Sequence, residues 1–340
     1  ADVRIRTMPP HSVGSAQAGA GGPAEAARLQ GPAQVDADRI RQLQAGGEFF
    51  WLDLADPAPA AVAALEAALP FASGAPIEPD AQLRPRADRY DDHVALVMFG
   101  VQRAPDGREI ELLGARIFVS GDCVVSVHRQ AIPEFEEVRA EWPPPNEEAA
   151  VFQVVNAIVE TFGTLLADVD TEIDTLEDAV IAGPQPAQLH TISSLKHVLV
   201  EVRRVLAPQR DLFARAGDEI SDLPGLQPSK YHDLRAIYDR LSRLAELADG
   251  YRDLLTGVMD IYLSTVSNRL NEIMRALTVV ATIFLPLTLL TGFFGQNFPW
   301  LIGHIRGPTN FWVLGVGGLA VSGLAIWAWL RWAAARTGRR

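Results

Sequence analysis

One cysteine, Cys123, stands in 340 residues. That scarcity excludes an intrachain disulfide and a thiolate-rich zinc site, and it fits a reducing compartment. No basic region followed by an apolar core opens the chain, so no signal peptide is expected. Basic residues are the minority, with 30 Lys and Arg against 42 Asp and Glu and a net charge of −12. The acidic balance argues against nucleic acid, whose phosphates want a basic face. No Gly-rich phosphate loop of the Walker type and no strand–Gly-x-Gly-x-x-Gly–helix unit occurs, so no nucleotide partner is expected either. Carboxylates are frequent in "GTLLADVDTEIDTLEDAV", but at helical spacing they spread around a surface, and the chain does not read as an enzyme.

Charge is also missing in two places where its absence is informative. From Ala276 to Phe294, and again from Phe311 to Leu330, no charged residue occurs. Each run has the length a helix needs to cross about 30 Å of hydrocarbon. Two C-terminal membrane spans are therefore predicted. The basic residues set their orientation: Arg331, Arg336, Arg339 and Arg340 follow the second run, Arg269 and Arg275 precede the first, and only Arg306 lies between. By the positive-inside rule both termini face the cytoplasm and the short connecting loop faces out.

Upstream, residues 1–35 are rich in Ala, Gly and Pro and read as a flexible tail. Residues 36–145 read as a cytoplasmic α/β domain. Its strands are Phe49–Leu54, His93–Gln102, Glu109–Ser120 and Cys123–Arg129, and a helix is predicted over Pro59–Leu69. From residue 146 the pattern is wholly helical. A helical hairpin over 146–228 precedes a stalk helix, 229–272, that runs without a break into the first span, 273–295. An outer loop, 296–310, a second span, 311–331, and a basic tail, 332–340, complete the plan. Pro208 and Pro286 are the points where these helices could bend. Leu244, Leu247, Tyr251, Leu254, Val258 and Ile261 recur at threes and fours along the stalk, a seam that one chain cannot fill, so self-association is expected.

In heptad register the first span carries Asn271, Thr278, Leu285 and Gly292 at one position and Met274, Ala281, Thr288 and Gly295 at another. Two readings fit this stripe of amide, hydroxyls and small residues. Threonine in a membrane helix bonds back to its own backbone and glycine permits close packing; equally, several copies could surround a pore of alternating polar rings and hydrophobic constrictions. At the outer lip stands "TGFFGQNFPW", with Gly295, Gln296 and Asn297 at its centre. Neutral amide oxygens can hold the hydration water of a hard cation such as Mg²⁺, which gives up its waters reluctantly, without gripping the ion too tightly to release it.

The stretch "STVSNRLNEIMRALTVVATIFLPLTLLTGFFGQNFPW", Ser264 to Trp300, resembles the pore helix and signature motif of the CorA family of divalent-cation transporters. The resemblance implies an α+β membrane protein assembled as a funnel-shaped homopentamer, in a bacterial plasma membrane, with the first span of each subunit lining the pore. It also implies uptake of Mg²⁺, with Co²⁺ as a further cargo, driven by the electrochemical gradient. A divalent ion crossing 150 mV inward gains about 7 kcal/mol, which suffices without nucleotide hydrolysis. By the same resemblance Gly295 and Asn297, with Gln296 between them, form the selectivity filter. Asn271, Met274 and Leu277 form the inner mouth and hydrophobic gate, Leu285, Thr288 and Gly292 line the pore further out, and Asp260 belongs to an acidic ring. Ala281 lies on the same stripe.

Gln296 stands where the family signature usually has methionine. That departure, and "RRVLAPQRD" at Arg203–Asp211, resemble the zinc-transporting ZntB branch, so a Zn²⁺ transporter on the same scaffold is the alternative. His304 in the outer loop is the best zinc candidate, although a lone loop histidine is more often simply solvated. Metal-regulated gating is a further implication. Asp168, Asp170, Glu172, Asp174, Glu177 and Asp178 are candidates to bind cytoplasmic Mg²⁺ and hold the pore shut, against the plainer reading of a solvated acidic helix.

Overall fold

The computed structural model describes residues 2–8, 37–72, 84–105, 107, 109–226, 233–296, 299, 303 and 307–337. They fall into two compact units, Ala1–Asp260 and Ile261–Arg340. The first is built on a six-stranded sheet: β1 (Asp2–Thr7), β2 (Phe50–Ala55), β3 (Arg86–Arg89), β4 (His93–Arg103), β5 (Ile110–Ser120) and β6 (Cys123–His128). Their order is β1-β2-β6-β5-β4-β3, with β2 and β6 parallel and every other pair antiparallel. The four strands expected from β-branched and apolar runs are all present, shifted by at most one residue at each end.

The strand at residues 2–7 overturns part of the flexible-tail expectation. "DVRIRT" alternates Val3 and Ile5 with arginines, and the pairing Val3↔Leu54 and Ile5↔Leu52 turns both apolar side chains onto the core face. The Ala/Gly/Pro-rich composition that suggested a tail belongs to residues outside those described. On that face α1 (Ala37–Gly46) and α2 (Pro59–Ala68) bury Ile40, Leu43, Val62 and Leu65 against Phe50, Leu52, Leu54, Val125 and Val127. Pro59 at the first turn of α2 has no N–H that the helix would need.

The opposite face receives the long helices α4 (Glu147–Ala182) and α5 (Pro186–Ser221). The Asn146 side chain caps α4 by accepting from the Ala149 amide at 2.7 Å, and Gly183–Pro184 ends it. Two devices hold these helices onto β4. At Gly100 a Cβ would meet Thr161 Oγ1 at 2.8 Å, and the missing side chain lets that hydroxyl accept from the Val101 amide at 2.9 Å. In α5, the wholly buried Gln209 accepts from the Phe99 amide at 2.9 Å and donates to the Phe99 carbonyl at 3.0 Å. The amide thus pairs with the edge of β4 beyond the end of β3, as a neighbouring strand would. This gives the "RRVLAPQRD" segment a local structural task, and α5 continues through Pro208.

Between them, α3 (Glu134–Glu141) is pinned to the sheet by charge. Asp53 Oδ2 accepts from Arg139 Nη1 at 2.7 Å, and Asp53 Oδ1 from Ser126 Oγ at 2.5 Å and His128 Nε2 at 3.0 Å, all buried. Arg139 reaches on to Glu136, which Arg4 of β1 also holds at 2.7 Å.

Helix α6 (Asp233–Phe294) runs unbroken from the first unit into the second, through Pro286. After it come a helical turn (Pro308–Asn310), a π-helical stretch (Phe311–Val316) and α7 (Gly317–Thr337). The stalk seam divides. Leu244 and Val258 are buried within the chain's own fold, whereas Leu247 and Leu254 are exposed.

Candidate functional site

Three helices among the described residues are long and apolar enough to cross a bilayer: α4, α6 and the segment Pro308–Trp329. Burial separates them. The most apolar window of α4 is 67% buried against the sheet, so α4 is a core helix; the corresponding windows of the other two are 0% buried. Trp312 stands at one end of the last helical segment and Trp327, Trp329 and Trp332 at the other, all exposed. Twenty residues from Trp312 to Trp332 span about 30 Å, the separation of the two interfacial aromatic belts of a membrane. The Arg331 guanidinium lies 4.7 Å over the Trp327 ring, a cation held at the polar border.

On α6 the predicted stripe is a single face. At 100° per residue, Asn271, Met274, Leu277, Ala281, Leu285, Thr288 and Gly292 fall within an arc of about 120° and extend about 31 Å along the axis. Every one of them is exposed, Leu277 by 67% and Leu285 by 76%. The threonines behave as membrane threonines do. The hydroxyls of Thr278, Thr282, Thr288 and Thr291 donate one turn back, to the carbonyls of Met274, Thr278, Phe284 and Leu287 at 2.7–3.0 Å. With the proton so committed, each hydroxyl presents only lone pairs outward, suited to accept from water. Pro286 has no N–H to give the Thr282 carbonyl, and that carbonyl is a further acceptor.

The helix closes at the Gly295–Gln296 end of the amide-bearing motif. The Gly295 amide bonds the Thr291 carbonyl at 2.9 Å and the Gln296 amide bonds the Phe293 carbonyl at 3.3 Å. A Cβ on Gly295 would lie 3.0 Å from the Thr291 oxygen, so glycine suits this tight end, while Gly292 has open space around it. Gln296 is exposed. Asn297 and His304 lie outside the described residues. Asp260 is exposed on α6, at the end of the first unit.

The acidic run on α4 does not gather into a metal site within the chain. Among the described residues no three His, Cys, Asp or Glu side chains come together to hold a metal. Glu172 is engaged by Arg103 at 2.9 Å. Asp170 meets Tyr251 of α6, whose hydroxyl is held above the usual tyrosine range by burial first and by that carboxylate next. Asp168, Asp174 and Asp178 are exposed and Glu177 half-buried. The helix fans its carboxylates because residues two apart point some 200° away from each other, a spacing that the sequence displays directly.

Sequence reasoning also missed residues that organise the first unit: the Asp53–His128–Arg139 network, the Gln209 clasp and a row of arginines on β3 and β5. Their signal was polar residues inside apolar runs ("FFWLDL", "CVVSVHR"), where a buried charge must have a partner.

A soluble α/β domain followed by exposed apolar helices of membrane-crossing length defines an integral membrane protein. Comparison supplies the family. The pattern of the CorA-like Mg²⁺ transporter protein family matches residues 46–332, and the chain belongs to that family. It is 28% identical over 225 residues to the cobalt/magnesium transport protein CorA of Thermotoga maritima, across 64% of this chain and 64% of that one. The match thus spans just under two thirds of that relative's length. It is also 26% identical to the zinc transport protein ZntB of Yersinia enterocolitica, across 67% and 69% of the two chains. Its fold is shared with the complete CorA magnesium transporter of Methanocaldococcus jannaschii, at a TM-score of 0.67 and 22% identity, over 83% of this chain and 90% of that one.

Proposed function

We propose that this chain is one subunit of a homopentameric, gradient-driven uptake channel for Mg²⁺, with Co²⁺ as a second cargo, in a bacterial plasma membrane with both termini cytoplasmic. The observation that carries the reading is the α6 stripe, an exposed face of membrane-crossing length whose hydroxyls offer only acceptor lone pairs. Five such faces around one axis enclose a path in which the waters of a hydrated cation donate to Thr278, Thr288 and the Asn271 amide. Met274 and Leu277 supply an apolar constriction at the inner end. A path of this kind reads the hydrated ion and needs no stripping of its waters, the costly step for Mg²⁺. Gly295, Gln296 and Asn297 then close the outer mouth with neutral amides.

Support for assembly comes from the stalk, where Leu247 and Leu254 remain exposed on a helix whose neighbouring side, with Leu244, Leu255 and Val258, is buried by its own chain. Regulation by cytoplasmic divalent cations would use carboxylates free to meet a neighbouring subunit, which favours Asp168, Asp174 and Asp260 over Glu172 and Asp170. If neutralising Asp168, Asp174 and Asp260 leaves current unchanged against internal Mg²⁺, that regulatory reading is wrong.

The second reading, a Zn²⁺ transporter, is favoured by one specific feature, Gln296 at the middle of the signature, together with the resemblance to ZntB. Radiotracer uptake into proteoliposomes with competing Mg²⁺, Zn²⁺, Co²⁺ and Ni²⁺ separates the two. The Mg²⁺ reading expects Mg²⁺ and Co²⁺ to enter and Zn²⁺ to compete poorly. Asn297→Ala is expected to abolish uptake at unchanged oligomer size; retained uptake removes the amide filter from the account.

A further inference from the structure

Charge is sorted between the two helices that flank α6 in the first unit. No Lys or Arg occurs anywhere in α4, whereas α5 carries Lys196, Arg203, Arg204, Arg210 and Arg215. The two helices grip opposite sides of α6. Asp170 of α4 meets Tyr251, and Arg203 of α5 pairs with Asp249. Asp249 and Tyr251 are two residues apart, so they point about 200° away from each other. The chain therefore has an acidic flank and a basic one, facing in different directions.

On the basic flank α5 and α6 leave a groove of about 280 Å³. It opens about 22 Å along α6 from its first residue, Asp233. Val200, Ala207 and Ala248 give it an apolar floor, and Val200 is 49% exposed. Arg203, Arg204 and Arg252 form the rim; Asp249, already bonded to Arg203, is the one carboxylate in the lining. Glu201 comes within 3.7 Å of Arg204, longer than a hydrogen bond.

The acidic flank is the complement. Leu247 and Leu254 stand four residues before and three after Tyr251, so they share its side of α6, and both are exposed. Asp168 and Asp174 of α4 are exposed as well. Because Asp170 lies against Tyr251, these two carboxylates are within about 6 Å of the height of Arg252. Arg240 and Arg243, the cations on this side, stand about 12 Å or more further along, toward Glu160. Rotation about an axis along α6 keeps every residue at its own height in the next copy. The acidic flank of one copy and the arginine groove of the next thus fall level.

We propose that the α5–α6 groove docks the α4 flank of a second copy of this chain, with Leu247 and Leu254 against Val200 and Ala207, and Asp168 and Asp174 meeting Arg204 and Arg252. Two unlike faces in contact make a heterologous interface, the kind that closes into a ring. Opposite charge decides which faces meet and keeps like flanks apart. The docking presupposes the homo-oligomer of the transport reading and specifies the surfaces that form it. Asp168 and Asp174 are then shared between these arginines and any cytoplasmic divalent cation, so the test is run in EDTA.

Purified full-length protein in detergent, carrying Leu254→Cys and Val200→Cys in one chain, is oxidised and its covalent multimers are counted. Leu254 lies about 200° round α6 from Arg252 on the groove rim, so the two cysteines are out of disulfide reach within a subunit, and native Cys123 is buried. The double variant is expected to give a ladder up to the full assembly, and each single variant no multimers. Arg204→Glu with Arg252→Glu should slow cross-linking by about tenfold or more, and adding Asp168→Lys with Asp174→Lys should restore it. All four charged positions are exposed, so these variants keep the fold. Multimers from Val200→Cys alone show like flanks meeting and overturn the proposal, as does charge reversal without effect or without rescue. An assembly of intact size by light scattering that yields no ladder overturns the docking and leaves the transport reading standing, whereas a monomer removes both.

Discussion

Single residues hold the first unit together where apolar packing alone would leave register undefined. Gln209 is the clearest case, because it satisfies both backbone groups of Phe99 from a neighbouring helix. Gln209→Ala leaves a buried N–H and carbonyl unpaired and is expected to cost about 1–3 kcal/mol, read as a lower melting temperature in detergent. Glu136 ties β1 to α3. The Arg139 hydrogen bonds first, and Arg4 after them, hold its carboxyl at about 2 against an ordinary value of 4.5. A depressed carboxylate contributes stability that is present above its unfolded value and lost as pH falls through the folded one. Between pH 4.5 and 2, wild type should therefore lose more stability than Glu136→Gln. The difference will be small, because Glu136 is 61% exposed and solvent screens the pair. Equal acid profiles would show that the pair carries no such linkage. Neither residue could be assigned from sequence: a glutamine in an amphipathic helix and a glutamate in a charged one look like solvated side chains until the partner element is known.

Elements were more legible than contacts. Four strands and the long helices followed from periodicity, since runs such as "HVALVMFGVQ" and "AVFQVVNAIVETF" have one physical solution each. The short strands β1 and β3 were not read from the sequence: the alternation in "DVRIRT" is masked by the low-complexity stretch it adjoins, and "RADR" is charged at three of its four positions, so its pairing with β4 comes from the neighbouring strand rather than from its own pattern. Close approach between elements also escaped sequence reading. A Cβ on Gly121, in the β5–β6 turn, would collide with the Pro224 carbonyl oxygen, beyond the end of α5. Gly121→Ala should therefore destabilise by about 1–3 kcal/mol through overpacking. Gly46, with nothing within 4 Å, is the control: Gly46→Ala should be neutral or stabilise by about 0.4–1 kcal/mol through the unfolded chain. Equal melting temperatures for the two variants would show that the Gly121 contact is not tight.

At the scale of the whole molecule the family and the two membrane-crossing stretches were readable, because lack of charge over about 20 residues is a coarse signal that survives divergence. On the proposed reading, which face of α6 meets the ion is a property of several chains together. The uncommitted thiol chemistry of this protein provides a direct probe. Its single cysteine, Cys123, is buried and pushed up to about 12 by that burial, so the native thiol stays unreactive. Single cysteines substituted in turn for Asn271, Met274, Leu277, Ala281, Leu285, Thr288 and Gly292 can then be challenged with a charged, membrane-impermeant thiol reagent while Mg²⁺ flux is recorded. Substitutions at Ala276, Val279, Ile283 and Leu290 supply the opposite face. Block of flux at the seven positions and none at the four is the predicted result; block that follows the four, or that ignores the helical period, contradicts it.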